Sequence, residues 1–157
     1  MKHSFINSAK TALLFLLVSG LLVACSNSTS SEEEHSDPEG FRLKMNGETV
    51  VEQLPGGTLT GEFELEPEEE TALITIFFLD DDGDEFQPDE PEYSLGAVFE
   101  DEGIAEFEQH EEDGVWSFHI HAEAEGITDL TLQLMHNGHS DFNTQAIHVH
   151  VEAASPN

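Results

Sequence analysis

The chain has 157 residues, of which 34 are Asp or Glu and only four are Lys or Arg, so its formal net charge at pH 7 is −30. A surface of this charge repels nucleic acid, which excludes nucleic acid as a partner, and it concentrates cations. Self-repulsion also destabilises a compact fold unless salt screens it, so the composition predicts a salt-loving (halophilic) source. The alternative is disorder driven by charge, and the alternating apolar patterns described below argue against it.

The N-terminus is typical of an exported lipoprotein. Lys2 and Lys10 precede an apolar run at residues 11–22, which is too short to cross a bilayer core that requires about 20 residues. The sequence Leu22-Val23-Ala24-Cys25 resembles the lipobox of bacterial lipoproteins, which implies that Cys25 is acylated and becomes the first residue after cleavage. The alternative is an ordinary secretory signal that happens to contain a cysteine.

Cys25 is the only cysteine of the chain, so its acylation leaves no thiol for a disulfide, for catalysis or for a metal. Two or more acyl chains anchor a protein stably, so the mature protein is expected to be extracytoplasmic and held on a bacterial membrane without spanning it. Ser26 after the cysteine resembles the pattern of Gram-negative lipoproteins that reach the outer membrane, on its periplasmic or its surface side.

Composition divides the chain into four regions. They are a signal peptide at 1–24, a flexible acidic tether at 25–39 without large apolar residues, a domain at 40–152 and a frayed tail at 153–157. The domain has roughly 110 residues, which suffices for one small hydrophobic core.

Within the domain, short runs that alternate apolar and polar residues predict strands, and helical patterns are nearly absent. Asn46-Gly47 predicts a two-residue hairpin turn between strands at 41–45 and 48–51. The remaining strands are expected at 58–65 (with Gly61 in register), 73–79 (central and apolar), 95–99, 105–108, 116–121, 130–135 and 147–151. Of these nine runs we expect about seven or eight to form the strands of the domain, and short strands with one apolar face each predict an all-β, two-sheet sandwich.

The second half of the domain is similar to a known family. Residues 103–151, and above all 114–134, resemble the closing strands of bacterial immunoglobulin-like domains, because Ala122-Glu123-Ala124-Glu125-Gly126 is followed by alternating Thr and Leu. The resemblance covers about a third of the chain and implies an immunoglobulin-like antiparallel β-sandwich in an extracellular setting. It supplies no catalytic residues, and the usual members are not rich in histidine.

Histidine side chains are the only candidates for a chemical function in the mature chain. Two His-x-His pairs lie in predicted strands, and the period of a strand points both rings of a pair the same way, so that they can close on one metal ion. A predicted loop at 136–144 presents two further imidazoles and a carboxylate, a ligand set suited to Zn²⁺, Cu²⁺ or Ni²⁺. The eight histidines are His35, His110, His119, His121, His136, His139, His148 and His150, and the carboxylate is Asp141.

Each His-x-His pair also has an interpretation without metal. The apolar residues that alternate with the histidines occupy the face of the strand toward the core. The histidines then point outward, where any polar residue would be tolerated. If Phe107 pairs with Phe118, His119 lies opposite Glu106 and a cross-strand contact explains it. In an immunoglobulin-like strand order the two pairs lie on opposite sheets and cannot share a site, whereas a different order would bring all four rings onto one face.

The preferred metal site follows from an expected strand register. Pairing Leu134 with Ile147 brings His148 near the predicted loop, at the end of the sandwich that also holds the turn at 110–114. We therefore expect His136 and His139 to bind the metal, with His148, His110 and Asp141 as further ligands.

A second cation candidate is the acidic run at 80–85. Dense carboxylates suit Ca²⁺, but the run lacks the ligand order of an EF-hand. Asp82-Gly83 between apolar strands is typical of a hairpin turn, and we favour that interpretation.

Motifs of known enzyme classes are missing from the sequence. It has no Gly-x-Ser-x-Gly elbow, phosphate loop or Cys/His arrangement, so it predicts a binding module rather than an enzyme. The expected function is a lipid-anchored extracytoplasmic module that binds a transition metal through surface histidines. The alternative is a metal-free immunoglobulin-like adhesion or envelope-structural lipoprotein.

Overall fold

The computed structural model describes residues 37–153. The predicted signal peptide, Cys25, His35, most of the tether and most of the tail lie outside these residues. The segment His35–Asn157 is one compact unit, and its hydrophobic core lies entirely between Phe41 and Val151. Because this segment has a complete core of its own, we expect it to fold without the residues before it. In the described part of the chain no helix is long and apolar enough to span a membrane.

Twelve strands account for the regular structure of residues 37–153. In chain order they are β1 (Gly40–Met45), β2 (Glu48–Gln53), β3 (Leu59–Thr60), β4 (Phe63–Leu65), β5 (Ile74–Leu79), β6 (Glu85–Phe86), β7 (Tyr93–Phe99), β8 (Ala105–Glu108), β9 (Ser117–Ala122), β10 (Gly126–His136), β11 (His139–Asn143) and β12 (Ile147–Val151).

The strands form two sheets. The first has the order β3-β2-β1-β5-β9-β8, with β6 also paired to β5, and the second has the order β11-β10-β12-β4, with β7 on the other edge of β10. All pairs are antiparallel except β4 with β12, which is parallel. One core cluster contains residues of both sheets, so the predicted all-β antiparallel sandwich is confirmed. It has twelve strands in place of the expected seven or eight, because several strands are only two or three residues long.

The core follows the period of two in the sequence. On the predicted central strand β5, Ile74, Ile76 and Phe78 are fully buried, and on β10 Leu130 and Leu132 are also fully buried. Each such side chain contributes about 1.5–3 kcal/mol by leaving water, which is what stabilises so acidic a chain as a compact fold.

Two predicted turns are confirmed. Asn46 and Gly47 have φ angles of 55° and 83° and join β1 to β2, as an Asn-Gly turn requires. The acidic run at 80–85 forms the turn between β5 and β6, where Asp80 Oδ1 accepts the backbone N–H groups of Asp82 and Asp84 at 3.1 and 2.8 Å. This carboxylate is therefore used in holding the turn.

The predicted strand at 58–65 is wrong in its continuity. Its apolar residues do face inward, but β3 pairs in the first sheet and β4 in the second. The chain changes sheets at Gly61, which has a φ of 88° and lies so close to the backbone carbonyl of Val50 that a Cβ would collide with it. Only glycine combines this angle with this approach.

The predicted loop at 136–144 is also wrong. Asn137 and Gly138 have φ angles of 50° and 82° and form a second Asn-Gly hairpin turn, after which β11 runs back along β10. Because β11 occupies the edge of β10 at residues 133–136, β12 pairs with the N-terminal part of β10, with Ile147 opposite Leu130 rather than Leu134. His148 therefore lies opposite Asp129 and away from the hairpin.

The register expected between β8 and β9 is wrong by two residues. Phe107 lies opposite Ile120 instead of Phe118, although its ring still stacks on Phe118 at a centroid distance of 5.1 Å. The observed register is the one that a turn centred on Asp113-Gly114 gives, since residue 112 would then lie opposite residue 115, although residues 109–116 all lie outside the strands and do not form a tight hairpin.

The only two Lys or Arg side chains of the described residues share one carboxylate. On the outer face of the first sheet, Arg42 and Lys44 donate to the two oxygens of Glu85 at 3.0 and 2.7 Å, and Arg42 also donates to Glu52 at 3.0 Å. The hydrogen bond from Lys44, together with that from Arg42, holds the pKa of Glu85 below its usual range. The histidines elsewhere on the surface therefore have carboxylates, and no fixed cations, around them.

Candidate metal-binding histidines

Strand alternation points both His-x-His pairs away from the core, as predicted. On β9, His119 and His121 alternate with the fully buried Phe118 and Ile120, and on β12 His148 and His150 alternate with buried Ile and Val. β9 belongs to the first sheet and β12 to the second. The expectation that the two pairs lie on opposite sheets is therefore confirmed.

His119 is held by the backbone of a neighbouring segment. Thr71 lies against β9, because its N–H donates to the Ile120 carbonyl at 3.0 Å and its hydroxyl accepts the Ile120 N–H at 3.0 Å. This puts the Thr71 carbonyl 2.8 Å from His119 Nδ1. A carbonyl only accepts, so Nδ1 carries the proton and the neutral ring presents its lone pair at Nε2.

Nε2, the other ring nitrogen of His119, lies near a carboxylate and a second imidazole. Nε2 lies 3.6 Å from Asp113 Oδ2, and the side chains of both residues are only 14% exposed. The ring of His110 is 5.8 Å from that of His119, and its Nε2 is 3.9 Å from Oε2 of Glu108, the cross-strand partner of His119. We call His110, His119, Asp113 and Glu108 the His119 cluster.

The His119 cluster is close to ligand spacing but does not have it. No group of three or more His, Cys, Asp or Glu within residues 37–153 is arranged to hold a metal ion. With metal–nitrogen bonds of about 2.0–2.1 Å, the ligand atoms of a tetrahedral site lie about 3.3 Å apart. The 3.6 Å between His119 Nε2 and Asp113 Oδ2 approaches this distance. To bind a metal ion, the cluster would therefore mainly need a movement of His110, which lies on the connection between β8 and β9.

The hairpin of β10 and β11 brings three predicted ligands together. His136 and His139 are direct cross-strand partners on either side of the turn, and His136 Nδ1 lies 3.1 Å from Asp141 Oδ2. The predicted helpers His148 and His110 contact other partners, namely Asp129 and the His119 cluster. Tyr93, which the sequence did not indicate, stacks on His136 with centroids 4.4 Å apart.

Tyr93 is also close to the negative charges of this hairpin. Burial, followed by the charges of Asp141 and Glu90, raises the pKa of its hydroxyl. The contact with His136 follows from the pairing of β7 with β10, in which Tyr93 lies opposite His136.

The remaining histidines each meet a carboxylate. His121 Nδ1 lies 3.1 Å from Glu123 Oε1 on the first sheet. On the second sheet, His148 Nδ1 lies 2.6 Å from Asp129 Oδ1 and His150 Nε2 lies 3.5 Å from Glu62 Oε2. The expected position of Glu106 opposite His119 is wrong, because Glu106 lies opposite His121 and Glu108 lies opposite His119.

Comparison with protein families and with curated proteins finds no match. Among solved structures, the chain is similar to domains 4 and 5 of the S-layer protein SbsC, with a TM-score of 0.43 and 12% identity over 66% of this chain and 64% of that one. It is also similar to domains 4–9 of the surface layer protein SbsC, with a TM-score of 0.45 and 13% identity over 78% of this chain and 23% of that one. The chain thus spans less than two thirds of either structure, and its function has to be argued from its own residues.

Proposed function

We propose that this chain is a lipid-anchored extracytoplasmic module that binds a transition metal ion, Zn²⁺, Cu²⁺ or Ni²⁺, at the His119 cluster. Cys25 of the lipobox-like sequence is the attachment point. The metal ligands are His119, His110 and Asp113, and Glu108 is within reach of a fourth position. The proposed site therefore differs from the one that the sequence favours, at His136 and His139.

The observation that carries the proposal is the hydrogen bond from His119 Nδ1 to the Thr71 carbonyl, at 2.8 Å. Histidines that bind metals almost always donate the other ring N–H to a carbonyl or carboxylate, which fixes the tautomer and raises the basicity of the ligating nitrogen. His119 has this arrangement already, and its Nε2 is directed at an oxygen ligand. No other histidine of the described residues donates to a backbone carbonyl in this way.

The type of metal follows from the donor atoms. Imidazole nitrogens suit Zn²⁺, Cu²⁺ and Ni²⁺, whereas Ca²⁺ takes six to eight oxygen ligands. The acidic turn at 80–85 is the weaker candidate for Ca²⁺, because the Asp80 carboxylate is engaged by backbone N–H groups.

The position of the His119 cluster favours binding over catalysis. A catalytic zinc needs an open coordination position inside a pocket that encloses the substrate. The cluster lies on the outer face of a sheet, where cross-strand partners and a connecting segment surround it instead. Sequestration or delivery of a metal requires no more than this.

The test is calorimetric titration of residues 35–157, stripped with chelator, with Zn²⁺, Cu²⁺ and Ni²⁺ at pH 7.5. The proposal predicts a site tighter than about 10 μM that is lost in His119→Ala and in Asp113→Ala. His121→Ala is the matched control, because it removes an outward histidine two residues along the same strand that lies outside the His119 cluster.

The competing sites and the metal-free alternative give different results. Loss of binding in a His136→Ala/His139→Ala variant, with binding kept in His119→Ala, would move the site to the hairpin. Absence of any binding tighter than about 10 μM would favour the alternative function, a metal-free adhesion or envelope-structural lipoprotein in which the histidines only pair with carboxylates.

A further inference from the structure

We infer that His148 and His150, on the sheet opposite the His119 cluster, form half of a second metal site that the same two histidines of a second copy complete. This inference rests on different residues from the proposed function. Failure at either site leaves the other untouched.

Each ring has a carboxylate near one of its nitrogens. His148 Nδ1 lies 2.6 Å from Asp129 Oδ1, its cross-strand partner, which leaves Nε2 directed away from that carboxylate. His150 Nε2 lies 3.5 Å from Glu62 Oε2, which leaves Nδ1. A carboxylate hydrogen-bonded to an imidazole orients it as a ligand, as Asp129 does for His148, and the ring of His150 lies beside that of His148 with centroids 6.3 Å apart.

Within residues 37–153, no further imidazole comes close enough to this pair to complete a coordination shell. Structural zinc is bound by four ligands, and the strand β12 supplies two. The other His-x-His pair lies on the opposite sheet, and the hairpin histidine His136 is held by Asp141 and Tyr93. A two-fold axis through the ion would bring two copies of the pair together and supply four nitrogens in an isologous contact.

The surface around the pair suits a second copy that arrives with a cation. His148 is 59% exposed, and Ile127, the cross-strand partner of His150, is an apolar side chain that is 60% exposed. Val98 is a further exposed apolar side chain on this sheet. Two copies that each have a large negative charge repel one another, so the contact requires the metal ion and is absent without it.

Sedimentation velocity of residues 35–157 with Zn²⁺ alone as the probe tests the inference. We expect a monomer after chelation and a dimer with zinc, with one zinc ion per dimer in addition to any bound at the His119 cluster. The variant His148→Ala/His150→Ala should stay monomeric with zinc while it keeps the calorimetric signal of the His119 cluster. His119→Ala should still dimerise.

A substitution beside the metal site tests whether the surfaces meet. Ile127→Glu leaves all the histidines in place, and it should weaken the zinc-dependent dimer by about tenfold because it sets like charges against each other. A monomer at every zinc concentration overturns the inference. So does zinc-dependent association that persists in His148→Ala/His150→Ala, or association that continues beyond the dimer, since the proposed contact is closed.

Discussion

Replacement of Glu85 by Gln should destabilise the fold although it removes one negative charge from a highly negative protein. The substitution removes the carboxylate that accepts from both Arg42 and Lys44, at 3.0 and 2.7 Å. Partly exposed ion pairs contribute about 0.2–1 kcal/mol each, so after screening by solvent we expect a loss of about 1 kcal/mol in the free energy of unfolding. Urea unfolding at pH 7 and low salt measures it.

The stabilisation by Glu85 should depend on pH. Its pKa is lowered in the folded state from an ordinary value of 4.5, so its contribution is fully present above that value. The contribution is lost as the pH falls through the lower, folded pKa, and Glu85→Gln and the wild type should converge in acid.

Glu48→Gln is the matched control for Glu85→Gln. It removes one charge from an exposed position on β2 and should be neutral or slightly stabilising, because it only relieves repulsion. Equal effects of the two substitutions at pH 7 would refute the reasoning, as would a difference between them that persists at low pH.

Three further predictions concern charge, backbone and anchor. Raising NaCl from about 0.05 to 1 M should raise the urea midpoint, because the Debye length falls to about 3 Å, and an unchanged midpoint would argue against a salt-dependent fold. Gly138→Ala places a Cβ in open space, so it should lower the free energy of unfolding by about 1–2 kcal/mol through the left-handed φ alone. Gly61→Ala should lower it clearly more, because its Cβ also collides with Val50. Equal losses of the two variants in urea unfolding would contradict this. Cys25→Ala should abolish the incorporation of labelled palmitate into the full-length protein in expressing cells while Ser26→Ala keeps it, and labelling of Cys25→Ala would exclude acylation at this cysteine.

The direction of side chains could be predicted from the sequence, because a strand repeats every two residues. The expected register of Phe107 is wrong by two residues and that of Ile147 by four, and both errors are even. An even slip keeps every residue on its face of the sheet and changes only its neighbour across the strands. For this reason the histidines of β9 and β12 point outward as expected, yet His148 meets Asp129 instead of Gln133.

The second Asn-Gly hairpin has a turn signal of its own in the sequence. Asn137-Gly138 is the same pair as Asn46-Gly47, but the residues after it, Ser140 and Asp141, lack apolar alternation and suggest a loop. Their strand forms because the turn directs the chain back along β10, and Phe142 then packs against the core. Turn chemistry prevailed over the hydrophobic pattern at this point.

The composition of the His119 cluster could not be predicted from local patterns. Its decisive contact is a backbone carbonyl, at Thr71, which any residue type provides. Asp113 is typical of a turn in the sequence, and it comes close to His119 only because the connection between β8 and β9 is longer than a tight hairpin. Such contacts depend on tertiary structure and have no residue pattern of their own.

The most direct test of the metal site is the protonation of the His119 ring. Two-bond ¹H–¹⁵N correlation spectra of residues 35–157 at pH 7.5 distinguish the two tautomers of each imidazole. The proposed site predicts that His119 has its proton on Nδ1 without metal, and that one equivalent of Zn²⁺ shifts the Nε2 resonance of His119 together with resonances of His110. A proton on Nε2 of His119, or zinc-induced shifts confined to His136 and His139, would contradict the account.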